Sequence, residues 1–345
     1  MRKAVRIGAH GGLDQLELVE LELPLPGPME VRVRIRALAL NHLDLFVRRG
    51  VPGHHFPLPL IPASDGAGVV DALGAGVEDL ERGSEVVIFP GTSCGHCEAC
   101  LSGRDQLCPD YAILGEARDG LATEYALVPR ANVHPKPPGL GFAEAASFSL
   151  TMQTAWNMLG VKANLQPGER VLIQAGGSGV GVAAIQIAKM LGAEVWITAG
   201  GAEKCQRCLD LGADRAIDYR DQDFCAKVRE WTDGKGVEVV VDHVGKDTFA
   251  RSIRCLAWGG RLVTCGATTG PKVEIHLAQI FFKSLSLLGS TMGSKGDLVR
   301  ICRWMEQGRL RPVIGARLEG LPSYAEGQRL LEERKVFGKV VVEIP

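Results

Sequence analysis

The sequence lacks an excess of either charge: 39 Lys and Arg stand against 40 Asp and Glu, for a formal net charge of −1. No run of five or more like charges occurs. Nothing is therefore available to neutralise a phosphate backbone or to hold an anionic membrane surface, and nucleic-acid and membrane partners are not expected. Long apolar runs are missing as well. The most apolar stretch, 171–199, is broken by Gln174, Gln186, Lys189 and Glu194, so no membrane span is expected. The first ten residues, MRKAVRIGAH, contain no apolar region of the kind a secretory signal needs. Internal repeats and low-complexity segments are absent too, which excludes solenoids and disordered tracts.

What the chain does have is length, glycine and an uneven distribution of cysteine. Its 345 residues are about two domains' worth. Glycine, at 43 residues, is about 12% of the chain, against a usual ~7%, which calls for many tight turns and for backbone that something approaches closely. Of ten cysteines, four fall within Cys94, Cys97, Cys100 and Cys108. A chain of this size without a secretion signal is expected in a reducing, cytoplasmic setting, where clustered thiols point to metal rather than to disulfides.

Residues 1–130 read as short strands punctuated by Gly and Pro. Val31, Val33 and Ile35 alternate with Arg32, Arg34 and Arg36, the period of a half-buried strand, and 83–90 (GSEVVIFP) reads as another. After the Pro/Gly-rich 134–142 the rhythm becomes strand, helix, strand. Strands are expected at 170–175, 194–199, 216–219, 237–242 and 260–266, with helices between them, the signature of a parallel sheet with right-handed crossovers. In the first helix Val180, Ala183, Ala184, Ile187, Ala188 and Leu191 share one face. The expected organisation is a β-rich domain over 1–130 with a cysteine lobe at about 91–110, a dinucleotide-binding domain over 131–293, and a return segment over 294–345.

AGGSGVG (175–181) follows a strand and opens a helix. Glycine there lets the backbone turn sharply and approach a pyrophosphate, whose charge meets free N–H groups and the positive helix end. Gly177, Ser178, Gly179 and Val180 are the residues concerned; a tight turn with no ligand is the competing reading. An NAD site usually carries an acid at the end of the second strand to hold the ribose 2′-hydroxyl. Here Ala199, Gly200 and Gly201 stand in its place and Lys204 follows. Small residues with a cation admit a 2′-phosphate, so NADP(H) is the expected coenzyme, unless Lys204 is simply a solvated helix residue.

Four thiols at Cys-x2-Cys-x2-Cys-x7-Cys fit a closed, tetrahedral structural zinc site, with a metal-free thiol loop as the alternative. His96 is a less suitable fourth ligand because it adjoins Cys97. Cys205 and Cys208 lie on an expected helix with no second pair.

Taken together, the β-rich N-terminal module, the four-cysteine lobe, the Pro/Gly junction, the glycine loop and the returning tail resemble the medium-chain dehydrogenase/reductase superfamily. ALNHLDLFVRRG (39–50), PASDGAGVV (62–70), LTMQTAW (150–156) and LLEERKVFGKVVV (330–342) are most similar to its quinone oxidoreductase-like and zinc-type alcohol dehydrogenase-like members. The resemblance implies an α/β protein, a doubly wound Rossmann sheet joined to a GroES-like domain. It implies that Lys204 and Tyr219 grip the 2′-phosphate, that Val244 and Cys265 line the coenzyme, and that Asn41 and Thr154 lie near the nicotinamide. It also implies pairing of the edge formed by 284–292 across a two-fold axis, hence a homodimer or a tetramer.

The sequence departs from the zinc alcohol dehydrogenases where they hold catalytic metal. Asn41 meets the first ligand position, and Ala63, Ser64 and Asp65 meet the Gly-His-Glu motif. The expected activity is thus NADPH-dependent hydride transfer to an enone or quinone without catalytic zinc. A zinc-dependent alcohol dehydrogenase or aldehyde reductase with a rearranged ligand set, and a non-enzymatic NADPH-binding protein, are the alternatives. His42 and Asp44 are the expected proton donors or relays, a capped turn after the strand 31–40 being the other reading of both.

Overall fold

The structure is a computed structural model that describes residues 1–345. The chain forms two compact units, Met1–Leu150 with Ser294–Pro345, and Thr151–Gly293. The first therefore extends beyond residue 130. Strand Val133–Pro135 pairs antiparallel with Glu85–Ile88, and helix Phe142–Ala145 packs Ala143 and Ala145 against Ala37, Ala39, Ala67 and Val341. The Pro/Gly run at 134–142 is a turn within this unit rather than a linker.

The main sheet of the first unit runs in the order Ile314–Glu319, Lys339–Glu343, Glu30–Leu40, Asp65–Leu73, Glu85–Ile88, Val133–Pro135, and Tyr125–Pro129 pairs with the first half of Glu30–Leu40. Val31, Val33 and Ile35 point into the core as the alternation requires. From Ala37 to Leu40 every residue is buried. Leu38 and Leu40 fill the core on one face, and Ala37 and Ala39 on the other face are small enough for the Phe142–Ala145 helix to sit on them. The C-terminal tail closes the sheet: Val340 lies opposite Leu40 and Val341 opposite Ala39. That register sets Lys339 beside Asn41, although the two are 298 residues apart.

The second unit has six parallel strands, numbered here within the unit: β1 (Arg170–Ile173), β2 (Glu194–Ala199), β3 (Arg215–Asp218), β4 (Val237–Val241), β5 (Leu256–Thr264) and β6 (Ser286–Gly289). Their order is 3-2-1-4-5-6, the doubly wound order whose direction reverses between β1 and β4 and leaves a crevice at those strands' carboxyl ends. Helices α1 (Gly179–Met190), α2 (Ala202–Asp210), α3 (Phe224–Trp231) and α4 (Phe249–Arg254) supply crossovers. All eight residues of α1 from Gly181 to Ala188, Gln186 included, are buried. The helix is thus covered on nearly all sides, and the one-face pattern captures only part of its contact. No helix is long and apolar enough to cross a membrane.

Candidate functional site

The glycine loop joins β1 to α1 at the reversal point. Ala175 takes a φ of 54°, and Ser178 caps the helix by accepting the Gly181 N–H at 3.0 Å. A Cβ on Gly181 would lie 2.3 Å from the Ala175 carbonyl oxygen, and one on Gly176 2.9 Å from Cβ of Ile197. Glycine at these positions is required for close packing of loop, helix and strand. Ahead of Gly181, the N–H groups of Gly179 and Val180 have no carbonyl of the helix to bond, an arrangement that suits an anion. His243, just past β4, places Nε2 3.1 Å from the Ser178 hydroxyl, and its buried Nδ1 has no partner. Burial pushes its pKa down, so the ring is neutral at pH 7.

Beneath the loop, buried polar groups tie the strand ends together. Thr198 donates to Gln174 at 2.7 Å, and Gln174 donates to Ser252 at 3.1 Å. Asp242 accepts from Ser252 (2.6 Å), Thr248 (2.9 Å) and the Val244 and Gly245 N–H groups. Val244 is held by this carboxylate, and burial pushes the Cys265 thiol up to about 12, which keeps it protonated.

At the end of β2, Gly200 and Gly201 leave room that side chains would close. A Cβ on Gly200 would lie 2.5 Å from the Tyr219 hydroxyl, and one on Gly201 3.2 Å from Nη1 of Arg220. Asp218 accepts the N–H groups of Gly201 (3.0 Å) and Arg220 (3.1 Å), and the Gly201 N–H holds its carboxyl below the usual range. Desolvation, then the charges of Arg220 and Arg207, lower the Lys204 pKa. The region is accordingly a concentration of positive charge beside two glycines and an aromatic ring.

In the lobe of the first unit the thiols converge. Sγ of Cys94 is 3.9 Å from that of Cys100 and 3.5 Å from that of Cys108, and Cys97 is 3.6 Å from Cys100. All four Sγ atoms lie within 4.8 Å of one another. A tetrahedron with ~2.3 Å metal–sulfur bonds has sulfur–sulfur edges of about 3.8 Å, so the quartet fits zinc. His96 is exposed, and its ring bonds to the Cys94 carbonyl. Asp105 anchors the lobe through the N–H and ammonium of Lys295.

Where three strands of the first unit end side by side, a second polar cluster forms. Nζ of Lys339 lies 2.5 Å from Oδ1 of Asn41 and 2.9 Å from Oδ2 of Asp65; the Asn41 amide donates to the same carboxylate at 3.0 Å. Asp65 is fully buried and Lys339 is 3% exposed. The other Asp65 oxygen accepts the Leu150 N–H at 2.8 Å.

Comparison with known proteins gives this arrangement a relationship. Residues 27–138 match the family described as alcohol dehydrogenase GroES-like domain, and residues 179–307 the family described as zinc-binding dehydrogenase. A quinone oxidoreductase of Pseudomonas aeruginosa is 32% identical over 99% of both chains, and one of Salmonella typhimurium is 32% identical over 80% of this chain and 76% of its own. A crystal structure described as an NAD-dependent alcohol dehydrogenase superposes with a TM-score of 0.95 at 51% identity, covering 99% of this chain and all of the other. The chain belongs to the medium-chain dehydrogenase/reductase superfamily. It is an NAD(P)H-dependent oxidoreductase of that superfamily, with the Rossmann and GroES-like architecture.

The turn that follows Asn41 is fixed by a second buried carboxylate. Asp44, fully buried, is committed to holding a turn. It accepts the Asn41 N–H at 2.6 Å and the Ala63 N–H at 2.9 Å, closing a capping box at the start of helix His42–Arg49. Burial raises its pKa to about 6, against those N–H bonds, the Lys339 charge and a hydrogen bond from Tyr324. The capped-turn reading thus describes its contacts. His42, in the first turn of the same helix, is exposed. Thr154, in helix Ser149–Trp156 of the chain, has a buried hydroxyl with no partner.

Three residues escape sequence reasoning. Lys339 gives no local signal, because only the pairing of first and last strands brings it to Asn41. Arg220 follows Tyr219 directly and could have been found by asking what lies after the third strand. His243 lies two residues past the fourth strand at the reversal point, where the strand order, once known, directs attention.

Proposed function

We propose that the protein is an NADPH-dependent reductase that transfers hydride to the β-carbon of an enone or a quinone without a catalytic zinc. The observation that carries this reading is the buried Lys339 ammonium bonded to Asn41 and Asp65. Asn41 stands at the first metal-ligand position of the zinc alcohol dehydrogenases, and Asp65 belongs to the Ala63-Ser64-Asp65 stretch that meets their Gly-His-Glu motif. A cation supplied by the chain balances the Asp65 carboxylate there, so a metal ion would have to displace it.

NADP(H) fits the second unit. Gly177, Ser178, Gly179 and Val180 with the α1 N-terminus would hold the pyrophosphate, Lys204, Arg220 and Tyr219 the 2′-phosphate beside Gly200 and Gly201, and Val244 and Cys265 would line the coenzyme. When bound, the nicotinamide supplies the hydride. The chain's part is to orient and to move a proton. Thr154 offers a hydroxyl with its hydrogen-bonding capacity unspent, Asn41 is held in one orientation by Lys339 and Asp65, and the exposed His42 imidazole is the proposed proton relay. Asp44 would act through the turn it fixes. The cysteine quartet would hold one structural zinc, apart from the reaction.

The 51% identical structure described as an NAD-dependent alcohol dehydrogenase favours a second reading, in which NADH and an alcohol or aldehyde are used. NADPH and NADH oxidation measured against enones, quinones and aldehydes separates the two. Turnover confined to aldehydes with NADH would replace the first by the second.

A homodimer is part of the proposal. The outer strand β6 is an edge, and Trp258, Leu277, Phe281 and Phe282 of the same unit are each two-thirds or more exposed or close to it (75, 67, 64 and 68%). An apolar surface of this kind beside an unpaired strand suits a second copy of the chain. Light scattering at micromolar concentration should give a dimer mass or its double; a monomer mass overturns it.

A further inference from the structure

We propose that Cys225 and Cys255 form a thiol-modification site that takes a hydroperoxide as its oxidant and closes to an intramolecular disulfide. Cys225 lies in the first turn of α3, and Cys255 follows α4 at the entrance to β5. Their sulfurs are 3.5 Å apart, and both also meet the Arg251 carbonyl oxygen, at 3.3 and 3.5 Å. Closing the remaining ~1.5 Å to a disulfide bond is within the reach of side-chain rotation. The pair lies far from the cysteine quartet in sequence and has no third ligand, so a metal does not account for it.

The two thiols differ as an attacking and a resolving thiol should. Cys225 is partly exposed, whereas Cys255 is buried. The hydrogen bond from Cys255, and then the Arg251 guanidinium, lower the Cys225 pKa. The same hydrogen bond, and then burial, raise that of Cys255. Arg251 is itself fixed, 2.9 Å from Asp223 and stacked 4.4 Å over the Phe224 ring. A thiolate at Cys225 is therefore reachable and stabilised, while Cys255 keeps its proton until it is needed.

The chemistry balances. The Cys225 thiolate attacks one peroxide oxygen; an S–O bond forms, the O–O bond breaks, and the other oxygen leaves as hydroxide and becomes water (an alcohol, for an alkyl hydroperoxide). The Cys255 sulfur, losing its proton, then attacks the sulfenic sulfur; the S–S bond forms, the S–O bond breaks, and a second water leaves. The two thiols give up two electrons and the peroxide accepts them. A thiol reductant such as glutathione reverses the change.

The test uses the zinc-loaded full-length protein titrated with hydrogen peroxide, alkylated and mapped by peptide mass, with zinc release followed by a chelating dye. The expected result is a Cys225–Cys255 cross-linked peptide at peroxide doses that release no zinc, reversed by dithiothreitol. Cys225→Ser should abolish the cross-link, and Cys255→Ser should leave a dimedone-trappable sulfenic acid at Cys225. Zinc release before any cross-link, or Cys225 passing to sulfinic acid while Cys255 stays a free thiol, overturns the proposal.

Discussion

Replacing Lys339 by Met removes the charge that balances Asp65 while keeping much of the side-chain volume. Asp65 is fully buried and Lys339 nearly so, so the variant leaves a carboxylate in the interior with the Asn41 amide and the Leu150 N–H as its remaining donors. Breaking a buried pair in this way costs ~3–5 kcal/mol. The two surviving donors place the expected loss at the lower end, about 3 kcal/mol, a fall in melting temperature of roughly 6–12 °C for a unit of this size. The assay is thermal and urea unfolding of wild type, Lys339→Met, Asp65→Asn and the double variant at pH 7.5. The double variant should be more stable than the sum of the single losses predicts, by ~2 kcal/mol or more. Additive losses, or a single-variant loss under ~1 kcal/mol, would refute the claim that this pair is a buried, mutually dependent unit.

Asp44, with its pKa raised to about 6 by burial, costs the fold about 3 kcal/mol once ionised: that destabilisation is absent at low pH, sets in as pH rises past the unfolded value near 4, and is complete above about 6. The stability difference between wild type and Asp44→Asn should follow that course, and a difference that stays flat from pH 4.5 to 7.5 would contradict it. Lys204→Ala and Arg220→Ala should each weaken NADPH binding by one to two decades, ~1.5–3 kcal/mol, while sparing NADH; equal losses for both coenzymes in titration would remove the phosphate assignment. Cys97→Ser should lower zinc content and melting temperature while the molecules that remain folded keep their turnover, read by metal analysis beside kinetics.

How much of this was written in the sequence depends on whether a feature is local. The β1–glycine loop–α1 unit, the existence and order of the parallel strands along the chain and the cysteine quartet are set by residues within about thirty positions and could be read directly, although β5 begins at Leu256, four residues before the expected start, and β1 ends at Ile173, two before the expected end. The limit of the first domain could not. Pro137 and Gly139 have the same composition in a linker as in a turn, and only the pairing of Val133–Pro135 with Glu85–Ile88 assigns them to the turn. The cluster around Asn41 was half legible: the departure from metal-ligand motifs is visible in the residues, but the ammonium that fills the gap arrives from the other end of the chain through strand register. Asp44 illustrates the converse. A carboxylate at that place in the sequence reads equally as a proton relay and as the cap of a turn, and both of its oxygens accept backbone N–H groups.

The central claim, hydride transfer without a catalytic metal, is tested most directly by measuring metal content and NADPH-dependent reduction of enones and quinones on the same purified protein, before and after a chelator strips accessible metal. The account predicts about one zinc per chain, retained by the cysteine quartet, with turnover unchanged by the chelator. Two zincs per chain, or activity that disappears on chelation while the fold and the cysteine-bound zinc persist, would contradict it.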